Sequence, residues 1–284
     1  MIKRVITGAG FAVLIVACVW FQGWAMRALL GAFMLISTHE MYKALANAGM
    51  KPVRWPGYAF CLLSLGAHVL ESHASASLHA PLMALVAALM IGMSAIVLRG
   101  RIDFPGMVST ILPMVYPGVF YIVLLGLLNL QNRAVITVAL ALAFFAASIN
   151  DVFALFSGML FGRHKLSPEI SPKKTIEGSI GGMLFCVLFC MAVPALVGWL
   201  LSHDPASAGQ LALLPPVWSF ALLGLVAGAF SQIGDLTASL VKRHCGIKDF
   251  GNLLPGHGGI MDRMDGVLFC GAAVAIFFRL LGLG

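Results

Sequence analysis

AVITVALALAFFAASINDVFALFSGMLF, residues 134–161, places a single charge, Asp151, in 28 consecutive positions and contains no proline. A helix crossing the hydrocarbon core of a bilayer takes roughly 20 mostly apolar residues, so this stretch predicts a transmembrane helix. Runs of the same kind occur at 5–22, 24–39, 56–70, 80–98, 107–130, 176–201, 215–241 and 261–282. The expected fold is an all-α polytopic membrane protein of about nine transmembrane helices. Composition agrees: hydrophobic residues are 60% and charged residues 10% of 284 positions, and mean hydropathy is +0.97. A soluble domain carries about a quarter charged residues, so this chain lacks the polar surface for one.

Working outward, Met1-Ile2-Lys3-Arg4 before an apolar run has the look of a signal peptide, but a second run follows at once and predicts a retained first span. Pro113 and Pro117-Gly118 predict a kink or split in the fifth span. The stretches from Glu71 to His79 and from Ser202 to Gly209 read as polar loops. Sorting the 18 Lys and Arg under this scheme puts Lys3, Arg4, Lys43, Lys51, Arg54, Arg99, Arg101, Arg163, Lys165, Lys173, Lys174, Lys242, Arg243, Lys248 and Arg263 on one side, against Arg27, Arg133 and Arg279 on the other. That bias predicts a cytoplasmic N-terminus and an external C-terminus. The net charge of +7 points to topology and anionic lipid headgroups rather than nucleic acid. The six cysteines lie mostly in apolar runs; Cys186 and Cys190 share a helix face, where packing is the expected role.

Of the 11 acids, Glu40, Glu71, Asp103, Glu169 and Asp204 fall at span ends or in loops, where solvation is expected. Asp151 and Asp235 fall inside apolar runs, and Asp262 and Asp265 open the last one. Charges at bilayer depth are costly and mark functional sites by default. Asp262 and Asp265 share one helix face; with Asp235 on the preceding span they offer carboxylates for a hard cation such as magnesium. Two such acids held close repel, so Asp262→Asn is expected to lose most activity while stability stays near normal or rises. Lys242, Arg243, Lys248 and Arg263 can neutralise phosphate oxygens. Gly256, His257, Gly258 and Gly259 precede a helix, where their amides can form an anion nest. A second basic segment, Arg163 to Gly178, supports two readings. One is a topology loop in which Ser171-Pro172 starts a helix capped with help from Glu177; the other makes Lys173, Lys174 and Thr175 phosphate ligands.

The stretch Ser239-x-Val241-Lys-Arg243-x4-Lys248-Asp249-x-Gly251-x2-Leu254-Pro255-x-His257-Gly-Gly259-Ile260-x-Asp262-Arg-Met-Asp265 resembles the phosphatidate cytidylyltransferase signature. Asp151-x2-Ala154-x3-Gly158-x2-Phe161-Gly162 and Ser171-Pro-Lys-Lys-Thr-x-Glu-Gly178 are similar to a second region of that family, although Ser148-Ile149-Asn150 departs from its usual pattern. The resemblance covers 148–178 and 231–266. It implies a nucleotidyltransferase of the cell inner membrane that makes CDP-diacylglycerol and pyrophosphate from CTP and phosphatidic acid, with its active site facing the cytoplasm. It implies Asp235, Asp262 and Asp265 as metal ligands and, with Lys248, as catalytic residues. Lys242, Arg243, Lys248, His257, Gly258, Gly259 and Arg263 would hold phosphates, joined by Ser171, Lys173, Lys174 and Thr175. Asp249 is expected to pair with Lys248 or Arg243. The expected cofactor is Mg2+, with room for a monovalent cation, and the partners are CTP, phosphatidic acid, membrane lipids and a second copy in a homodimer. Residues 1–130 are expected to give lipid access and 131–284 to carry catalysis. A cation transporter, a silent lipid-binding relative and a cytidylyltransferase for another lipid phosphate are the rival readings.

Overall fold

The computed structural model describes residues 2–71, 79–202 and 212–283. The polar stretch 72–78, Asp204, the segment 203–209 and the side chain of Glu71 lie outside the described residues. In chain order the helices are α1 (Ile2–Phe21), α2 (Gly23–Asn47), α3 (Trp55–Glu71), α4 (His79–Val97), α5 (Phe104–Pro113), α6 (Phe120–Gly126), α7 (Arg133–Phe161), α8 (Ile176–Leu201), α9 (Val217–His244) and α10 (Met261–Leu280). Strands β1 (Lys165–Ser167) and β2 (Ser171–Thr175) form an antiparallel pair between α7 and α8. The protein is thus mostly helical, and helices occupy each of the nine expected stretches. Five described segments are long and apolar enough to cross a membrane: Ala80–Val97, Phe104–Asn129, Arg133–Phe161, Ile176–Leu201 and Val217–His244. Large apolar side chains face outward, as Leu82, Met83 and Met90 do on α4, where only 22% of the apolar window is buried.

Two compact units are present, one of 1–12, 23–126 and 241–263, the other of 13–22, 127–240 and 264–284. In the first, Tyr42, Phe60, Met34 and Tyr121 are fully buried. Buried hydroxyls pair within that core: Ser37 Oγ and Tyr121 Oη lie 2.8 Å apart, and the Tyr42 hydroxyl donates to Thr110 O at 2.9 Å. The expected break in the fifth span is present. Helix α5 ends at Pro113, a wide turn runs from Met114 to Val119, and Tyr116 takes the extended angles φ −129, ψ 109. Proline at 117 disfavours the helical region for the residue before it. Asp103 caps α5, accepting from Gly106 N at 2.9 Å. Helix α2 continues to Asn47, past the expected end at 39, and carries Glu40 into the core rather than to a solvated end; Glu40 is 6% exposed.

In the second unit, α7 and α8 pack backbone to backbone through small residues. A Cβ on Gly178 would lie 2.6 Å from Ala154 O, and one on Gly182 2.6 Å from Asn150 O. Small residues four apart on both helices allow this approach, as in membrane helix pairs generally. Gln232 ties the pair to α9, donating to Asn150 Oδ1 at 3.1 Å and to Ser179 O at 3.0 Å.

Candidate active site

The residues singled out by sequence fall in both units, and each set is built by its own neighbours. In the second unit the basic segment is a hairpin, not a helix start. Ser171 and Pro172 lie in β2, and α8 begins at Ile176 with Thr175 as its cap, the Thr175 Oγ1 accepting from Gly178 N at 3.1 Å. Extended backbone at the cap with a hydroxyl facing the first turn is what an N-cap requires, and it displaces the expected start at Ser171-Pro172. Glu177 reaches back over the hairpin instead of closing a capping box. It accepts from Arg163 N at 3.0 Å and meets His164 Nδ1 at 2.6 Å. Gly158 and Gly162 leave room only for the Thr175 side chain, since a Cβ at either would stand 2.9 and 2.8 Å from its Oγ1 and Cγ2. This anchoring points Lys174 at Asp235, with which it forms an ion pair, each side chain about a quarter exposed. Lys173 is exposed and Ser171 half-buried. Asp265 is buried, and its Oδ1 accepts from Gly266 N at 2.8 Å.

In the first unit the loop 245–260 is sewn together by two carboxylates. Asp262 accepts Lys242 Nζ at 2.9 Å on Oδ1, and Phe250 N at 2.8 Å and Gly259 N at 3.0 Å on Oδ2. Glu40 accepts Ile260 N at 3.3 Å and Met261 N at 2.9 Å. The amide donors at the start of α10 therefore serve the protein's own acids, which corrects the expected phosphate nest at Gly259. Gly258, at φ +84, would place a Cβ 2.8 Å from Asp262 Oδ2, and the Glu40 carboxylate leaves no room for a side chain at Gly251 or Gly259. Glycine at 251, 258 and 259 thus makes room for the two carboxylates. Asp262 and Asp235 each have a lysine partner, so the repulsive-pair expectation for Asp262 gives way to an ion pair.

Beside this stitched loop lies a polar cleft of about 350 Å³ lined by Lys248, Asp249, Asn252, His257, Gly258 and Arg263 among others. Its size lies within the roughly 300–1,000 Å³ usual for small-molecule sites. Lys248 and Arg263 are exposed cations, and the buried Nδ1 of His257 has no hydrogen-bond partner among the described residues. Gly8 of α1 makes space for that ring, a Cβ there falling 3.1 Å from His257 Nε2. Two cations and an imidazole around one opening can bind an oxyanion. Lys242 stands apart from this lining, buried, with its Nζ 5.5 Å from the Phe250 ring centre; Arg243 is exposed on the last turn of α9. Asp249 makes no ion pair with Lys248 or Arg243, contrary to expectation; it is exposed and without a partner among the described residues. The same loop buries Cys245, and burial raises its thiol pKa.

Among the described residues no three His, Cys, Asp or Glu side chains gather as a metal cage. Magnesium in nucleotide sites takes one or two carboxylates and completes its shell with phosphate oxygens and water. The partly exposed carboxylate of Asp235 fits that demand, and Oδ1 of Asp262, with one donor, retains a second lone pair. Sequence reasoning missed Glu40 as a builder of the loop. A glutamate four residues before Ala44 on an apolar helix was the available signal, but its partners lie 220 and 221 positions away.

The sequence model of the cytidylyltransferase family matches residues 2–281. The phosphatidate cytidylyltransferase 5, chloroplastic, of Arabidopsis thaliana is 31% identical over 307 aligned positions, covering 99% of this chain and 72% of the relative. Phosphatidate cytidylyltransferases of Thermotoga maritima and Staphylococcus aureus are each 42% identical, over 133 and 127 positions, or 47% and 45% of this chain and 46% and 44% of theirs. With the match running through both units and through the loop that carries the cleft, the chain belongs to the cytidylyltransferase family.

Proposed function

We propose that this membrane protein is a phosphatidate cytidylyltransferase, transferring CMP from CTP to phosphatidic acid to give CDP-diacylglycerol and pyrophosphate. The observation that carries the reading is the cleft where Lys248, His257 and Arg263 converge, in a chain matched by its family almost end to end. A phosphatidate oxygen attacks the α-phosphorus of CTP, and the bond from that phosphorus to the bridging oxygen of pyrophosphate breaks, the oxygen keeping the electron pair. Such transfers rest on positioning and charge neutralisation, with no protein nucleophile. Lys248 and Arg263 donate to phosphate oxygens, and His257 lines the cleft beside them. Lys174 and Lys242 stand beside the acids and balance their charge. Asp235 and Asp262, with Asp265 as a third, are the carboxylates assigned to magnesium, an assignment supported by the sequence motif; the ion supplies charge neutralisation on the triphosphate.

The basic bias of one set of loops supports nine spans with the N-terminus and the active site on the cytoplasmic side of the inner membrane and the C-terminus outside. Cytoplasmic CTP meets its site directly in that orientation. Residues 1–130 then serve lipid access and 131–284 catalysis, in a chain that pairs as a homodimer. The test is an assay of the purified chain in mixed micelles with CTP and phosphatidic acid, with and without magnesium, following pyrophosphate and lipid product. Magnesium-dependent formation of both in equal amounts is expected. Pyrophosphate without CDP-diacylglycerol, or neither from folded protein, overturns the reading.

A further inference from the structure

The cleft contains a group that phosphate binding does not explain. Its lining includes one carboxylate, Asp249, beside Lys248 and Arg263. A carboxylate among phosphate-binding cations weakens an anion site, because like charges repel at close range. Asp249 does not spend its charge on the neighbouring cations: it has no ion pair or hydrogen bond among the described residues. Its acceptor oxygens therefore face the cleft opening with no internal duty. Three positions on, Asn252 lines the same cleft. Between them Phe250 is buried, 5% exposed, and its amide is held by Asp262, so the loop is anchored at its middle while the two polar residues flanking that anchor stay outward.

We infer that Asp249 and Asn252 read the nucleobase, Asp249 accepting from the exocyclic amine of cytosine and the Asn252 amide donating to its ring acceptors. The inference rests on the nucleotide reading given above and names its specificity residues. A carboxylate accepting from the cytosine amine is a recurrent pairing in base recognition. Uracil presents a carbonyl oxygen where cytosine presents that amine, so the same carboxylate repels it. Rejection through an unpaired charge is an efficient source of specificity.

The experiment measures CTP and UTP binding to the full-length protein by calorimetry, together with kcat/KM for each nucleotide, in the wild type, Asp249→Asn and Lys248→Met. An asparagine can either donate or accept, so Asp249→Asn is expected to lower the CTP-over-UTP preference at least tenfold in both measurements. Lys248→Met is expected to weaken both nucleotides by a common factor and leave the preference intact. An unchanged preference in Asp249→Asn, or an equal loss for both nucleotides, overturns the inference. A wild type that binds CTP over UTP but forms no lipid product overturns the proposed reaction alone, and the binding ratio of Asp249→Asn then still decides the base contact.

Discussion

Asp262 shows how one side chain organises a site. Its two oxygens hold a lysine and two backbone amides, and its side chain is 2% exposed. Replacing it with asparagine leaves Lys242 charged and buried without its counterion and sets an NH2 group or a weaker acceptor against the loop amides. Breaking a buried pair from one side costs about 3–5 kcal/mol. Asp262→Asn is therefore expected to melt well below the wild type in detergent, as well as losing turnover. Adding Lys242→Met removes the stranded charge and should recover much of the melting temperature with no recovery of activity. A single variant that melts like the wild type would refute the stitching role. The identities of these residues were legible in the sequence, because acids and bases are conspicuous in apolar runs. Their allocation was not, since Asp262 finds Lys242 twenty positions away and Glu40 its amides 220 away, and no local pattern encodes such pairings.

Among elements, the α7–α8 pair and the hairpin between them behave differently in the sequence and in the fold. The two helices were readable from length and hydropathy alone. The hairpin was not, because Ser171-Pro172 satisfies the rules for a helix start as well as those for an edge strand. Three-dimensional context decides it: Thr175 is seated among Gly158, Gly162 and Gly178, and the helix can begin only after it. The close approach of α7 and α8 makes a sharp prediction. Gly182→Ala sets a methyl group 2.6 Å from Asn150 O and 2.9 Å from Ala154 Cβ, an overpacking worth about 1–3 kcal/mol. A lowered melting temperature is expected, whereas Gly66→Ala, with nothing within 4 Å of its added Cβ and a gain in helix propensity inside α3, should melt at or above the wild type. Equal melting of the two variants would show that α7 and α8 do not depend on this contact.

At the scale of the whole molecule the prediction concerns sidedness. The six native cysteines are buried thiols, and the raised pKa of Cys245 lowers its reactivity further. Buried native thiols supply a quiet background for new reporters. Lys51→Cys and Gln131→Cys, both at exposed positions, are expected to label with an impermeant thiol reagent from opposite faces, residue 51 from the cytoplasm and 131 from outside. Labelling of both from one face would refute the proposed orientation.

Helix α4 has a consequence of its own. With most of its surface turned outward, the surrounding amphiphile rather than the protein supplies the greater part of its packing. Extraction exchanges that solvent, and the belt formed by a short-chain detergent covers a helix less completely than acyl chains do. Choice of solubilising agent is thus expected to bear directly on α4, whose outward face the protein leaves open.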